Sequence, residues 1–390
     1  GQRYIATVKH RFSLFQQGGS SMRVLVALWR ADVATALARS GSPPLNTEAS
    51  VRHAVRLIED MCVAKAMPYL EGSGLGDLQL REIRQQLRRK HPQDRIEWPA
   101  GLGALVQRFP RLQLSDARNV LKSLARNAGC GADRFRNEYL IRLVRGEMAD
   151  NVRNQALEAW GNFADHVSNA DFPPWFYTVW TTVVQFAPVK SLGATPAQHD
   201  VRPVGCGGAG RRAIGRMVLA VKRQALRAQC EPVQLGQGTS AGTQAHGFIV
   251  RIHMQLYPTH ICVKVDFCNA FNAIERARMV EAFANDTELN DMHRYMESHL
   301  RPRSRIYYLS GGCLIRAEYD SVQGGQQGAF EASSGFNKTT KRLFDAADST
   351  LAPAGGCARA TCDDLTLCGP ARIVWEVLAV LTRRQGAARP

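Results

Sequence analysis

The stretch ATCDDLTLCGP, residues 360–370, sets two aspartates side by side. Asp363 and Asp364 lie between short runs that read as strands. Asp266 closes another such run, HICVKVDF, 97 residues earlier (363 minus 266). A strand ending at Asp266 and a strand–turn–strand carrying Asp363 and Asp364 can lie side by side in one sheet, gathering three carboxylates. Such a cluster repels itself unless a cation neutralises it. Mg2+ suits hard oxygen ligands and keeps positions open for water and substrate phosphates. Two such ions about 4 Å apart activate an attacking oxygen and steady a leaving one in phosphoryl transfer. Taken alone, an Asp-Asp pair is more often a solvated hairpin turn, and both readings stand at this point.

The elements that must position these carboxylates follow from periodicity. HICVKVDF is short, apolar and β-branched, the pattern of a buried strand ending at Asp266. Residues 357–368 predict two short strands around the aspartate pair, and SRIYYLS with CLIRAEYDSV brackets Gly311 and Gly312 like a hairpin. Helical spacing runs through 22–38, 51–66 and the basic LGDLQLREIRQQLRRKHP, stopped by Pro92. SDARNVLKSLARNAGCGADRFRNEYLIRLVRG predicts a helix with Ser115 as N-cap, a glycine-bearing turn and a second helix. Further helices are expected in AGRRAIGRMVLAVKRQALRAQ, SAGTQAHGFIVRIHMQLY, RARMVEAFAND, ASSGFNKTTKRLFDAAD and ARIVWEVLAVLTRRQ, while FPPWFYTVWTTVVQFAPVK is aromatic and β-branched. Pro and Gly become frequent in RIEWPAGLGALVQRFP, which marks a boundary near residue 110. Helices and strands mix without strict alternation, so the expected class is α+β.

Composition sets the outer limits. With 390 residues, 45% of them hydrophobic, the chain can bury a sizeable core and hold two or three structural units. Lys and Arg outnumber Asp and Glu by 50 to 34, and the resulting +16 favours polyanions such as nucleic acid. No apolar run approaches the roughly 18 to 20 residues that span a bilayer, and GQRYIATVKHRF lacks the pattern of a secretory signal. An intracellular protein with no membrane partner is expected. Ten cysteines without a CxxC pair point to reduced thiols rather than a zinc ribbon or disulfide framework.

Six segments in order then resemble one family, the reverse transcriptases of non-long-terminal-repeat retroelements. VKVDFCNAFNAIERARM resembles its first aspartate motif, with an aromatic five residues after the aspartate. GADRFRNEYL resembles the fingers element GPDGLPPELL, and APVKSLGATPAQHDVRPVG the IPK…RPI element. GRRAIGRM with CEPVQLGQGTSAGTQAHGFIV resembles the following segment. SVQGGQQGAFEASSGF falls where GVQQGDPLGPLLF belongs, and ATCDDL where YLDD or YADD belongs.

The resemblance implies fingers and a palm, an antiparallel sheet packed on helices, with domains at 111–260 (fingers and the start of the palm) and 261–390 (palm). Residues 1–110 would form a helical N-terminal extension. The chain ends 26 residues after Asp364 (390 minus 364), so a fragment with the thumb largely absent is expected. The implied activity is RNA-directed DNA polymerase, a nucleotidyltransferase using Mg2+ or alternatively Mn2+, an RNA template, a DNA primer or target, and dNTPs. Action on chromosomal DNA implies the nucleus.

Carried over by motif, Asp266, Asp363 and Asp364 are the catalytic metal ligands, with Asp364 supporting the other two. Phe271 matches the aromatic that crowds the sugar 2′ position. Lys190 and Arg202 match the pair that grips the triphosphate through charge-assisted bonds. Gln327 and Gly328 match the Gln-Gly beneath nucleotide and template, and Asn269 shares the turn of Phe271. Arg211 and Arg212 either touch template phosphate or line a solvated helix face. The sequence departs from the family at Thr361, where an aromatic belongs, and at Ala329-Phe330, where Asp-Pro belongs, with Glu331 added beside them. A catalytically inactive nucleic-acid-binding remnant is the alternative these departures raise.

Overall fold

The computed structural model describes residues 76–91, most of 107–267, residue 270, 276–301, 304–308, 314–317 and 328–387, with isolated positions between 10 and 28. The helices expected at 22–38 and 51–66 lie outside the described residues apart from isolated positions. The basic stretch forms α1 (Arg81–Arg89), which buries Ile83 and Leu87 and ends ahead of Pro92. Next come α2 (Leu114–Ser123), α3 (Asn137–Arg145), α4 (Asp150–Ser168) and α5 (Pro174–Trp180).

Ser115 is not the N-cap of α2. It lies in the first turn, because the chain enters the helix earlier, where Leu112 N donates to Asp165 Oδ1 at 2.7 Å. The long α4 has no counterpart among the expected helices, although Leu157, Gly161, Ala164 and Ser168 line one buried stripe at helical spacing. The aromatic, β-branched run divides in two. Pro173 and Pro174 start α5, where fixed φ angles favour a first turn, and β1 (Val183–Phe186) follows.

After β1 the chain runs through β2 (Val189–Ser191), β3 (Asp200–Val201), β4 (Val204–Cys206), α6 (Ala209–Cys230) and α7 (Gly242–Leu256). It continues through β5 (Ile261–Asp266), α8 (Arg276–Ala284), α9 (His293–Leu300), β6 (Ser304–Tyr308) and β7 (Leu314–Ala317). The described chain closes with α10 (Gly328–Leu351), β8 (Cys357–Thr361), β9 (Asp364–Gly369) and α11 (Ala371–Ala387). The class is a mixture of helices and small sheets, as expected of α+β. The hairpin expected around Gly311 and Gly312 is β6–β7, paired antiparallel with Ile306 opposite Ile315.

One sheet, in the order β4-β1-β6-β7, is mixed rather than antiparallel, since β1 and β6 run parallel with Val183 opposite Ile306. A three-stranded antiparallel sheet, β5-β9-β8, carries the aspartates. β5 is not the buried strand its β-branched run predicts. It is an edge strand whose Cys262, Lys264 and Asp266 are exposed, while α7 packs on the β8 and β9 part of that same face.

Three apolar clusters form among the described residues: a small one joins Ile83 and Leu87 of α1 to Val183, Val201 and Ile306, and two others are larger. The largest is a helical body with Leu140, Ile214, Met217, Met279, Phe283, Leu289 and Tyr295 fully buried. Its aromatic side stacks Phe172 on Phe176 at 4.4 Å between ring centres and Phe176 on Trp180 at 5.4 Å. The second core lies beneath the aspartate sheet. Ala358, Ala360, Leu365 and Leu367 of β8 and β9 meet Phe344, Ala347 and Leu351 of α10 and Val374 of α11. Alternation along a strand thus sends apolar residues to the helices and leaves the intervening residues for the opposite face. Among the described residues, no helix is long and apolar enough to cross a membrane.

Candidate active site on the three-stranded sheet

β8 and β9 form a hairpin in which Thr361 opposes Asp364 and a two-residue turn holds Cys362 and Asp363. Cys362 adopts a positive φ of 56°, a conformation unusual for a side chain larger than glycine. An external clamp supports it. Gln234 Nε2 donates to Cys362 O at 2.9 Å, while Gln234 Oε1 accepts from Cys362 N at 2.8 Å and from Gly236 N at 2.9 Å. The buried amide therefore closes the turn as a neighbouring strand would. Its own segment runs parallel to β8, with Leu235 N donating to Ala360 O at 2.8 Å and Ala360 N to Val233 O at 2.7 Å. Glycine is required beside it, since a Cβ on Gly236 would sit 2.5 Å from Cys362 N.

On the other side of β9, register places Asp266 directly opposite Asp364. These two carboxylates and Thr361 therefore form one row across the sheet, on the face whose β5 half is open. Asp363 lies at the turn beside them. Burial raises its carboxyl above the ordinary aspartate range, and the negative charges of Asp364 and Asp266 raise it further. The three aspartates thus share one electrostatic neighbourhood. A cation already answers part of that charge, because Lys264 Nζ lies 2.9 Å from Asp364 Oδ1. The bond to Asp364 raises the ammonium of Lys264, and Asp266 and Asp363 add to the effect.

Behind Thr361 lies a buried imidazole. His246 of α7 meets Thr361 Oγ1 through Nδ1 at 2.8 Å and Thr366 Oγ1 through Nε2 at 2.9 Å. Burial depresses the imidazole below the ordinary histidine range, against the pull of Asp364. A neutral imidazole carries one donor and one acceptor, so one threonine accepts from it and the other donates to it. Thr361 thus occupies a polar bridge between helix and sheet at the position where the resembled family carries an aromatic.

The remaining site residues are distributed more widely. Lys190 and Arg202 are exposed on β2 and immediately after β3, the two strands of a separate small sheet, where Arg202 N donates to Pro188 O at 2.8 Å. Gly328 is the first residue of α10. Phe271, Asn269 and Gln327 lie outside the described residues. Arg211 and Arg212 face neither template nor solvent. They are buried, with Arg212 donating to Gly207 O at 2.6 Å and Asn137 Oδ1 at 2.9 Å, and Arg211 to Thr181 O at 3.4 Å. The helix bearing them is enclosed at its N-terminal half, so its charges turn inward to carbonyl and amide oxygens.

The donors at the sheet edge are hard carboxylate oxygens, the kind Mg2+ takes in ones and twos while substrate phosphates and water complete its shell. Asp266 and Asp364 face each other in register, with Asp363 at the turn beside them. Among the described residues, no three His, Cys, Asp or Glu side chains converge into a ready metal cage. Gln234, His246 and Lys264 were not singled out from the sequence. The first two lie in the quoted segment CEPVQLGQGTSAGTQAHGFIV, and only their contacts with residues more than a hundred positions away distinguish them. No protein-family model matches the chain, and no curated protein is similar enough to it to count as a relative.

Proposed function

We propose that the chain is the core of an RNA-directed DNA polymerase of the non-long-terminal-repeat retroelement type. It joins a primer 3′-hydroxyl to the α-phosphate of a deoxynucleotide and releases pyrophosphate. One observation carries the reading: Asp266 opposes Asp364 in register beside a clamped turn bearing Asp363. When bound, Mg2+ or Mn2+ supplies the positive charge that activates the hydroxyl and stabilises the departing pyrophosphate.

The protein's own part is positioning. Asp266 and Asp363 would hold the cations with Asp364 in support, and Gln234 keeps the turn from opening. Lys190 and Arg202 neutralise the triphosphate, Phe271 excludes a ribose 2′-hydroxyl, and Gln327 with Gly328 supports nucleotide and template. The partners are an RNA template, a DNA primer or target, and dNTPs, with action in the nucleus on chromosomal DNA.

Primer extension on an RNA template tests this reading. Product that depends on Mg2+ and disappears in Asp363→Ala is the expected result, and an unchanged yield in that variant removes the claim. A second reading, a polymerase-derived nucleic-acid-binding protein without synthesis, is favoured by the Lys264 ammonium seated on Asp364. It predicts RNA binding that weakens as salt rises, with no extension product.

A further inference from the structure

The sheet face that carries carboxylates at one end carries thiols at the other. Cys262 on β5, Cys368 on β9 and Cys357 on β8 are register partners, so they form one row across three strands. On this face one row, Lys264, Thr366 and Arg359, lies between them, so the thiols stand at the far end from Asp266, Asp364 and Thr361. Opposed residues of an antiparallel pair have Cα atoms about 4.5 or 5.5 Å apart, inside the roughly 4.4–6.8 Å that a disulfide spans. Register sets Cys368 between the other two. Accessibility runs along the row, since Cys262 is exposed whereas Cys357 and Cys368 are buried. At the closed end His253 Nδ1 of α7 lies 3.7 Å from Cys357 Sγ.

We propose that this row is a thiol-oxidation site: hydrogen peroxide reacts at Cys262, and the oxidation is passed through Cys368 to rest as a Cys357–Cys368 disulfide. The Cys262 thiolate attacks one peroxide oxygen, an S–O bond forms, the O–O bond breaks, and the leaving hydroxide takes a proton to become water. Cys368 sulfur then displaces hydroxide from the Cys262 sulfenic acid, and the thiol proton leaves with it as a second water. Two thiols have lost two electrons and two protons, and one peroxide has become two waters. Finally the Cys357 thiolate attacks Cys368, forming the inner disulfide and releasing Cys262 as a thiolate.

Exchange at a disulfide passes through attacking, central and leaving sulfurs in one line. Three cysteines in a single cross-strand row supply that line. Position sets the same order: Cys357, at the closed end beside His253 Nδ1, adjoins Cys368 on the side away from Cys262 and is the thiol left to attack it. Elsewhere burial pushes the Cys230 and Cys362 thiols up to about 11, away from reactivity. The inner disulfide would clip β8 to β9, the hairpin that bears Asp363 and Asp364. The proposal does not depend on the polymerase reading.

A timed peroxide treatment of the full chain tests it, with N-ethylmaleimide quenching and peptide mapping by mass spectrometry without reduction. Cleavage at Lys264 and Arg359 puts the three cysteines on separate peptides. The Cys262–Cys368 link should appear first and decline as the Cys357–Cys368 link grows, and dithiothreitol should reverse both. In Cys262→Ser the inner link should form about tenfold more slowly, because a buried thiol meets peroxide poorly. The wild-type time course stands even if that variant misfolds, which circular dichroism reports. Accumulation of Cys262 sulfinic acid without any cross-link, or an inner link that forms equally fast in Cys262→Ser, overturns the proposal.

Discussion

The helical body and the aspartate sheet solve opposite problems with buried polar groups. In the body such groups are neutral or turned onto oxygens. His299, fully buried, donates from Nδ1 to Tyr295 O at 2.8 Å and accepts from Trp180 Nε1 at Nε2, 3.2 Å away. Arg211 and Arg212 are likewise spent on backbone carbonyls and Asn137. In the sheet, by contrast, like charges are held together against their repulsion. Asp363 is raised by burial, Cys362 sits at positive φ, and a single glutamine clamps the turn. The body turns its buried cations onto oxygens, whereas the sheet keeps its carboxylates together with a clamp from a distant segment.

The largest effect should come from breaking the body. Phe283→Ala empties a fully buried ring position and should cost about 3–5 kcal/mol of stability in urea unfolding. A variant as stable as wild type would show that this core does not hold the molecule together.

Next comes the clamp. Gln234→Ala removes three hydrogen bonds to the half-buried Cys362 and the exposed Gly236, at about 0.5–1.5 kcal/mol for each bond lost. The loss should appear as faster hydrogen exchange at the Cys362 amide while amides of α4 keep their protection. Exchange accelerated equally in both regions would mean that the clamp is not local.

Third is acidity in the body. Burial lowers His299 from the ordinary 6.5 to about 3, so below pH 6.5 the unfolded chain takes up a proton that the folded chain refuses. Stability is therefore complete above pH 6.5 and falls as pH drops toward 3, by about 1.4 kcal/mol for each pH unit. His299→Gln retains a donor and an acceptor but does not titrate, and its unfolding midpoint should change less between pH 6 and pH 4. Equal slopes in the two proteins would assign the acid sensitivity to other groups.

The smallest change should come from Lys264→Met. This exposed ion pair adds little to folding, so the melting temperature should stay put. Removing the ammonium from Asp364 should instead tighten Mn2+ binding, read as free Mn2+ by electron paramagnetic resonance. Weaker binding in the variant would mean that Lys264 supports the metal site rather than competing for it.

Much of the local structure was legible in the sequence. The β-branched run ending at Asp266, the hairpin around Asp363 and Asp364, and the amphipathic stretches of α1, α10 and α11 announce themselves within windows of a few residues. Where the reading failed, a distant partner had decided. Ser115 lost its cap position to an entry held by Asp165. Arg211 and Arg212 sit on a basic stretch that reads as solvated until α6 is enclosed. β5 reads as buried, but its place at the sheet edge exposes every second residue.

The sequence alone determined the carboxylates, their strand-and-turn settings and the basic surplus, because residue type and short periodicity encode local conformation. Only the tertiary structure decided that Asp266 meets Asp364, since a shift of one residue in strand register would turn one carboxylate to the opposite face. It also decided that Gln234, 128 residues from Cys362, closes the turn, and that three scattered cysteines form one row. Register and clamping are long-range choices, made by which faces bury apolar surface together, and no short window of sequence contains them.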